Sequence, residues 1–116
     1  MNKEEVIAKW NNLSLRERDA WIAETLMGLE LDKYRTGNYL KGGMSIPIKR
    51  YSSYTSVAMD IITKITDKSE HEGCGPCVRI EHDGIWHVSI GIKRAMNESL
   101  PEAICLAALI AHYETN

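Results

Sequence analysis

Apolar residues recur along the chain with two periods, one helical and one alternating, and these divide it into segments. Residues 3 to 11 predict a short first helix. Ser14-Leu15-Arg16-Glu17 then has the Ser-x-x-Glu spacing of a capping box, in which the hydroxyl accepts from the third helical amide and the carboxylate reaches back. A helix over about 15 to 27 follows, with Leu15, Ile22, Leu26 and Leu29 at helical spacing, joined by Trp21. Arg16, Glu17, Asp19 and Glu24 are placed on its opposite, polar side, and Gly28 is the stop signal. From Asp32 to Arg50 the periodicity dissolves into a polar, Gly-containing connection whose length suggests a functional or mobile loop. Met44 to Ile48 reads as a short edge strand within it, because Pro47 cannot donate to a central ladder.

Helical spacing returns with Val57, Ala58, Ile61, Ile62 and Ile65, predicting a helix over about 55 to 66 with Ser53 or Thr55 as N-cap. Cys77 to His82 alternates, with Val78, Ile80 and His82 on one face and Arg79 and Glu81 on the other. Asp83-Gly84 signals a two-residue hairpin turn, and Trp86, Val88, Ile90 and Ile92 then alternate against His87 and Ser89. Lys93, Arg94 and Asn97 fall in the loop after this hairpin. Ser99-Leu100-Pro101-Glu102 forms a second capping box, opening a helix rich in small apolar residues from Ala103 to Ala111. The order of elements predicts an α+β fold: an antiparallel sheet with a central hairpin packed between helices, an αβα sandwich.

The chain has 116 residues, which is the size of a single domain spanning 1–116. Lys and Arg total 14 against 16 Asp and Glu, and the formal charge of -2 supplies no bulk field for gripping a nucleic acid polymer. Any anion site must be local. No targeting or membrane-spanning run is visible, so an intracellular location is expected. Three cysteines fit reduced thiols better than a disulfide framework.

Two of those cysteines sit in Cys74-Gly75-Pro76-Cys77, a tetrad associated with thiol redox chemistry. Redox activation needs the tetrad to open a helix whose amides stabilise the thiolate, and here an extended segment follows. His71, Cys74, Cys77 and His82 also read H-x2-C-x2-C-x4-H, a borderline-soft donor set that makes zinc the alternative. His82 shares its strand face with Val78 and Ile80, which favours a turn into a strand with incidental thiols and no metal. A second alternative is a phosphate site at Lys49, Arg50, Ser53 and Thr55, where a helix start offers free amides beside two cations. Arg79, His87 and Ser89 lie on the polar side of the hairpin, where a ligand could meet them. No Ser-His-Asp order, phosphate loop or paired carboxylates emerges, so an enzyme is not expected.

Three stretches taken together, "WIAETLMG" (Trp21 to Gly28), "YSSYTSVAMDII" (Tyr51 to Ile62), and "IWHVSIG" with "SLPEAICLAALIAHYE" (Ile85 to Glu114), resemble the phage ABA sandwich domain family. That family has a sheet held between helices and includes the Thoeris anti-defence sponge proteins. The resemblance implies a phage or prophage protein of the host cytoplasm that sequesters a cyclic ADP-ribose isomer, or a cyclic oligonucleotide, without cleaving it. It further implies a dimer or hexamer with pockets between subunits, and no cofactor. Such a ligand requires cations for phosphates, an aromatic platform for a base and polar groups for ribose. Here the candidates are Arg79, Lys93 and Arg94, then Trp21 and Trp86, then Asn97, with Met27 and His87 completing the set. The rival reading is a small zinc-stabilised or host-protein-binding interaction module.

Overall fold

Each helix begins where the chain can satisfy its first free amides. The computed structural model describes residues 1–72 and 78–114, and the side chains of these except 67–72. Helix α1 (Lys3–Asn12) is opened by Asn2, whose side chain accepts from Glu5 N at 2.9 Å while the Glu5 carboxylate accepts from Asn2 N at 3.2 Å. This capping box went unread in the sequence. Helix α2 (Leu15–Thr25) carries the expected one, with Ser14 N donating to Glu17 at 3.0 Å and Glu17 N to Ser14 at 3.3 Å. Gly28, at φ +67°, then reverses the chain so that Leu29 N reaches Ala23 O at 2.9 Å, closing the end of the helix. Helix α3 (Thr55–Glu72) is longer than the 55 to 66 expected, and Tyr54 holds the cap position, its carbonyl accepting from Val57 and Ala58. Ser53 and Thr55 flank it.

Helix α4 (Leu100–Glu114) is the centre of the molecule: every residue from Ala103 to Ile110 is buried. A helix apolar all round must be surrounded, and α4 packs against α1, α2 and α3 and against two strands of a sheet. Alanines at 103, 107 and 108 let those neighbours approach closely, and each buried Ile or Leu contributes about 1.5–3 kcal/mol. The second capping box does not form. Glu102 instead takes Arg18 Nη1 at 2.7 Å, and Ser99 N donates to Asn97 Oδ1 at 2.8 Å.

Two antiparallel sheets of three strands complete the α+β fold. The first, β1 (Glu30–Leu31), β2 (Asn38–Lys41) and β3 (Met44–Pro47), occupies most of the span expected to be a loop. Its hairpin turns on Gly42 and Gly43, both at positive φ, the type I′ pattern that two glycines allow. β3 is at the sheet edge, where Pro47 was expected. The second sheet, β4 (Val78–His82), β5 (Trp86–Ile90) and β6 (Lys93–Asn97), lays β5 and β6 on α4. Residues 93 to 97 are thus a strand and not a loop. Its first turn has three residues, since His82 pairs with Trp86, and its second is Gly91-Ile92, which leaves Ile92 exposed instead of in the apolar alternation.

The α2 assignments need two corrections. Leu15 is exposed, and Asp19, placed on the polar side, is buried at 6% exposure. Asp19 is four residues after Leu15 and three before Ile22, hence on the same face as both. Burial is tolerated because Ser52 N and Ser52 Oγ both donate to its Oδ1, at 2.9 and 2.7 Å.

The loop between β1 and β2 is tied by Asp32, which accepts from Ser45 Oγ at 2.6 Å and from Tyr34 N at 2.9 Å. These bonds, Ser45 first, hold its carboxyl below the ordinary value of 3.8. A lowered folded-state pKa gives stability that is complete above the unfolded value and lost as pH falls through the folded one. Thermal melts of wild type and Asp32→Asn should therefore differ most at neutral pH and converge below about pH 4. A constant difference across that range would remove Asp32 from the acid response.

Candidate functional site

The pairing register of the second sheet decides which of its polar residues meet. Arg79 pairs with Ser89, and Ser89 with Arg94, so the three lie in one cross-strand row. Glu81, His87 and Met96 form the next row on the same face. Strand spacing puts the two arginine backbones about 10 Å apart, with a hydroxyl between them. Arg79, Glu81, Arg94 and Met96 are exposed, while the apolar face carrying Val88, Ile90 and Ala95 is buried.

His87 organises this face. Arg94 Nη2 is 2.7 Å from its Nδ1 and Asp83 Oδ1 is 2.8 Å from its Nε2. A guanidinium can only donate, so Nδ1 accepts and the ring proton sits on Nε2, facing Asp83. The bond from His87 is the main cause that holds the Asp83 carboxyl below its ordinary value. With both nitrogens engaged, His87 has no lone pair to act as a base in this arrangement. Its effect is to fix Arg94. Arg79 is looser, with Nε 3.6 Å from Glu81 Oε1 and both side chains largely in solvent, a pair that contributes little. Two guanidiniums and a hydroxyl in a row suit an anion with several oxygens, such as a phosphate or diphosphate.

The other candidates lie elsewhere. Trp86 is on the opposite face, half-buried, with its ring 4.5 Å from that of His82. Lys93 shares that face and pairs with Glu114 Oε2 at 2.8 Å. Asn97 caps the entry to α4, as described. Trp21 is buried on α2, its Nε1 donating to Tyr113 Oη at 3.1 Å and Lys9 Nζ lying 4.3 Å over its ring. Met27 follows α2, its carbonyl accepting from Lys64 Nζ at 2.7 Å. The structure thus gathers Arg79, His87 and Arg94, and sets Trp21, Met27, Trp86, Lys93 and Asn97 apart from them.

The alternative phosphate set is also divided. Lys49 is paired with Asp60 at 3.2 Å, and Ser53 and Thr55 are exposed at the start of α3. Arg50 lines a cavity of about 170 Å³ shared with Arg16, Asp19 and the first sheet. The sequence reading gave no function to Arg16 or Asp19, because both were assigned to a solvated helix face. Of the zinc alternative, Cys74, Cys77 and the His71 side chain lie outside the described residues. The described residues contain no cluster of three or more metal-ligating groups. Cys105 is buried, and burial pushes its thiol well above the ordinary range, so it offers no thiolate at neutral pH. Among the described residues, no helix is long and apolar enough to cross a membrane.

The fold is similar to that of a phage protein from Bacillus cereus seen in a crystal structure, with a TM-score of 0.71 and 23% sequence identity. The likeness covers 88% of this chain and 89% of that one. None of the curated proteins matches the chain. The family profile of the phage ABA sandwich domain matches residues 20–109, from the second turn of α2 through most of α4 and including both sheets. This protein therefore belongs to the phage ABA sandwich domain family.

Proposed function

We propose that this phage-family protein captures a small phosphorylated signal of cyclic-nucleotide type, a cyclic ADP-ribose isomer, and holds it uncleaved. The observation that supports this best is the row Arg79, Ser89 and Arg94 on an exposed sheet face. Opposed guanidiniums neutralise a diphosphate, and the Asp83–His87–Arg94 chain holds one of them before the ligand arrives, which lowers the ordering cost of binding. Retention without conversion fits a site whose histidine is engaged at both nitrogens. Among the described residues this flat face carries no tryptophan or tyrosine, so a second copy of the chain would complete the pocket, in a dimer or hexamer acting in the host cytoplasm. As the resemblance implies, removal of the signal would blunt a bacterial defence that depends on it.

The test is retention. Protein incubated with the cyclic ADP-ribose isomer, freed of excess ligand and heated should release the compound intact. Each charge-assisted contact contributes about 1.5–3 kcal/mol, so Arg79→Ala with Arg94→Ala should weaken binding by about 100-fold or more. Recovery of an altered compound would make the protein an enzyme, and no retention by wild type would end the proposal.

A further inference from the structure

We infer that the cavity between α2 and the first sheet is a second, separate site, built for a phosphate ester that carries a free hydroxyl, such as a ribose phosphate. The phosphoryl oxygens would be held by Arg16 and Arg50, and the hydroxyl would donate to Asp19. Both arginines line the cavity, and among the described residues neither guanidinium has an ion pair or side-chain hydrogen bond. Several other surface cations are engaged, Arg18 with Glu102, Lys49 with Asp60 and Lys93 with Glu114, while Lys33, Arg35 and Lys41, without an ion pair among the described residues, do not line this cavity. Two arginines left without partners on one concavity constitute an anion receptor. Arg16 also belongs to the first turn of α2, where the helix adds partial positive charge.

The carboxylate gives the site its second requirement. Asp19 is buried to 6% exposure, and both hydrogen bonds from Ser52 fall on Oδ1. Oδ2 has no protein donor, yet no buried side-chain oxygen or nitrogen among the described residues lacks a partner. Oδ2 therefore keeps some exposed surface, and we place that surface in the cavity that Asp19 lines. An open carboxylate oxygen beside two arginines repels a phosphoryl oxygen set against it and accepts from a hydroxyl. Inorganic phosphate can offer only a P–OH on the same group that the arginines hold, whereas an ester with a separate hydroxyl can satisfy both at once, so the site favours the ester. The walls are rigid on this side: Asn38 Nδ2 donates to Ser45 Oγ at 3.0 Å, and Ser45 Oγ to Asp32 at 2.6 Å. At about 170 Å³ the cavity is smaller than the roughly 300–1,000 Å³ of sites that enclose a drug-sized ligand. It fits one sugar phosphate, with any base left outside.

The inference does not depend on the sheet-face reading, since the two sites share no residue. The full chain is titrated with ribose 5-phosphate, adenosine 5′-monophosphate and inorganic phosphate, followed by calorimetry and by amide and arginine side-chain NMR shifts. Wild type should bind ribose 5-phosphate at least tenfold more tightly than inorganic phosphate. Arg16→Ala or Arg50→Ala should weaken both by at least tenfold. Asp19→Asn keeps an oxygen for Ser52 but replaces Oδ2 with a donor, so it should abolish the preference without weakening inorganic phosphate, and an unchanged amide spectrum would show that it folds. Equal binding of the monophosphate would mean that the group is accepted within a nucleotide; weaker binding would mean that the free sugar phosphate is favoured. Both outcomes keep the site. Equal affinity of wild type for phosphate and ribose 5-phosphate, indifference to both arginine variants, or no saturable binding would overturn it. Removing Arg79 and Arg94 should leave these titrations as they are, so failure of one site can be told from failure of the other.

Discussion

Replacing Trp10 with alanine should lower the unfolding free energy by about 3–5 kcal/mol, the cost of emptying a large enclosed aromatic site. Trp10 is 1% exposed and brings α1 against the central helix. Its loss would also release a neighbour. The Arg18 guanidinium lies 4.9 Å from the Trp10 ring, Arg18 Nε donates to the Trp10 carbonyl at 2.8 Å, and its Nη1 reaches Glu102 on α4 at 2.7 Å. This network joins the first, second and fourth helices through one side chain. A urea titration would report the change in midpoint, and Trp10→Phe should recover much of it. A loss below about 1 kcal/mol would show that α1 is an accessory, an outcome of interest because α1 precedes the residues that match the family.

How much could be read in advance depended on whether burial followed polarity. Helix α4 was legible because an apolar, alanine-rich run after Ser-Leu-Pro-Glu has few other fates, and the β4–β5 hairpin because its alternation is unbroken across Asp83-Gly84. Of the first sheet only the edge strand β3 was legible; β1 and β2 were missed although Gly42-Gly43 is a hairpin signal, because Asn38 to Lys41 has no apolar alternation to mark it as a strand. Strand β6 was missed for a similar reason. Lys93, Arg94 and Asn97 look like a solvated turn until the register shows Ala95 buried between them. For the candidate site, Arg79 and His87 could be placed on one face by alternation alone. Their company with Arg94 could not, since it depends on a third strand.

Asp19 is where sequence polarity misled most, and its truncation should have the second largest effect. Asp19→Ala removes the acceptor for Ser52 N, a backbone donor in a residue only 2% exposed, and for Ser52 Oγ. A buried donor left without a partner costs about 1–3 kcal/mol, and a hydroxyl can turn elsewhere while an amide cannot, so a loss of about 2–3 kcal/mol is expected. Asp19→Asn, which keeps an oxygen toward Ser52, should lose about 1 kcal/mol. In a double-mutant cycle Asp19→Ala and Ser52→Ala should be non-additive by roughly 1 kcal/mol or more, as partners in direct contact are. Additivity would mean that the two bonds do not hold α2 to the turn before α3. The position matters beyond stability. Arg50 stands two residues from Ser52, so the same carboxylate that anchors the turn also sets where this guanidinium stands relative to Arg16 on α2. Asp19→Ala should therefore weaken inorganic phosphate binding even though it removes a repelling charge, whereas Asp19→Asn should not, and the contrast separates the anchoring role of Oδ1 from the selecting role of Oδ2.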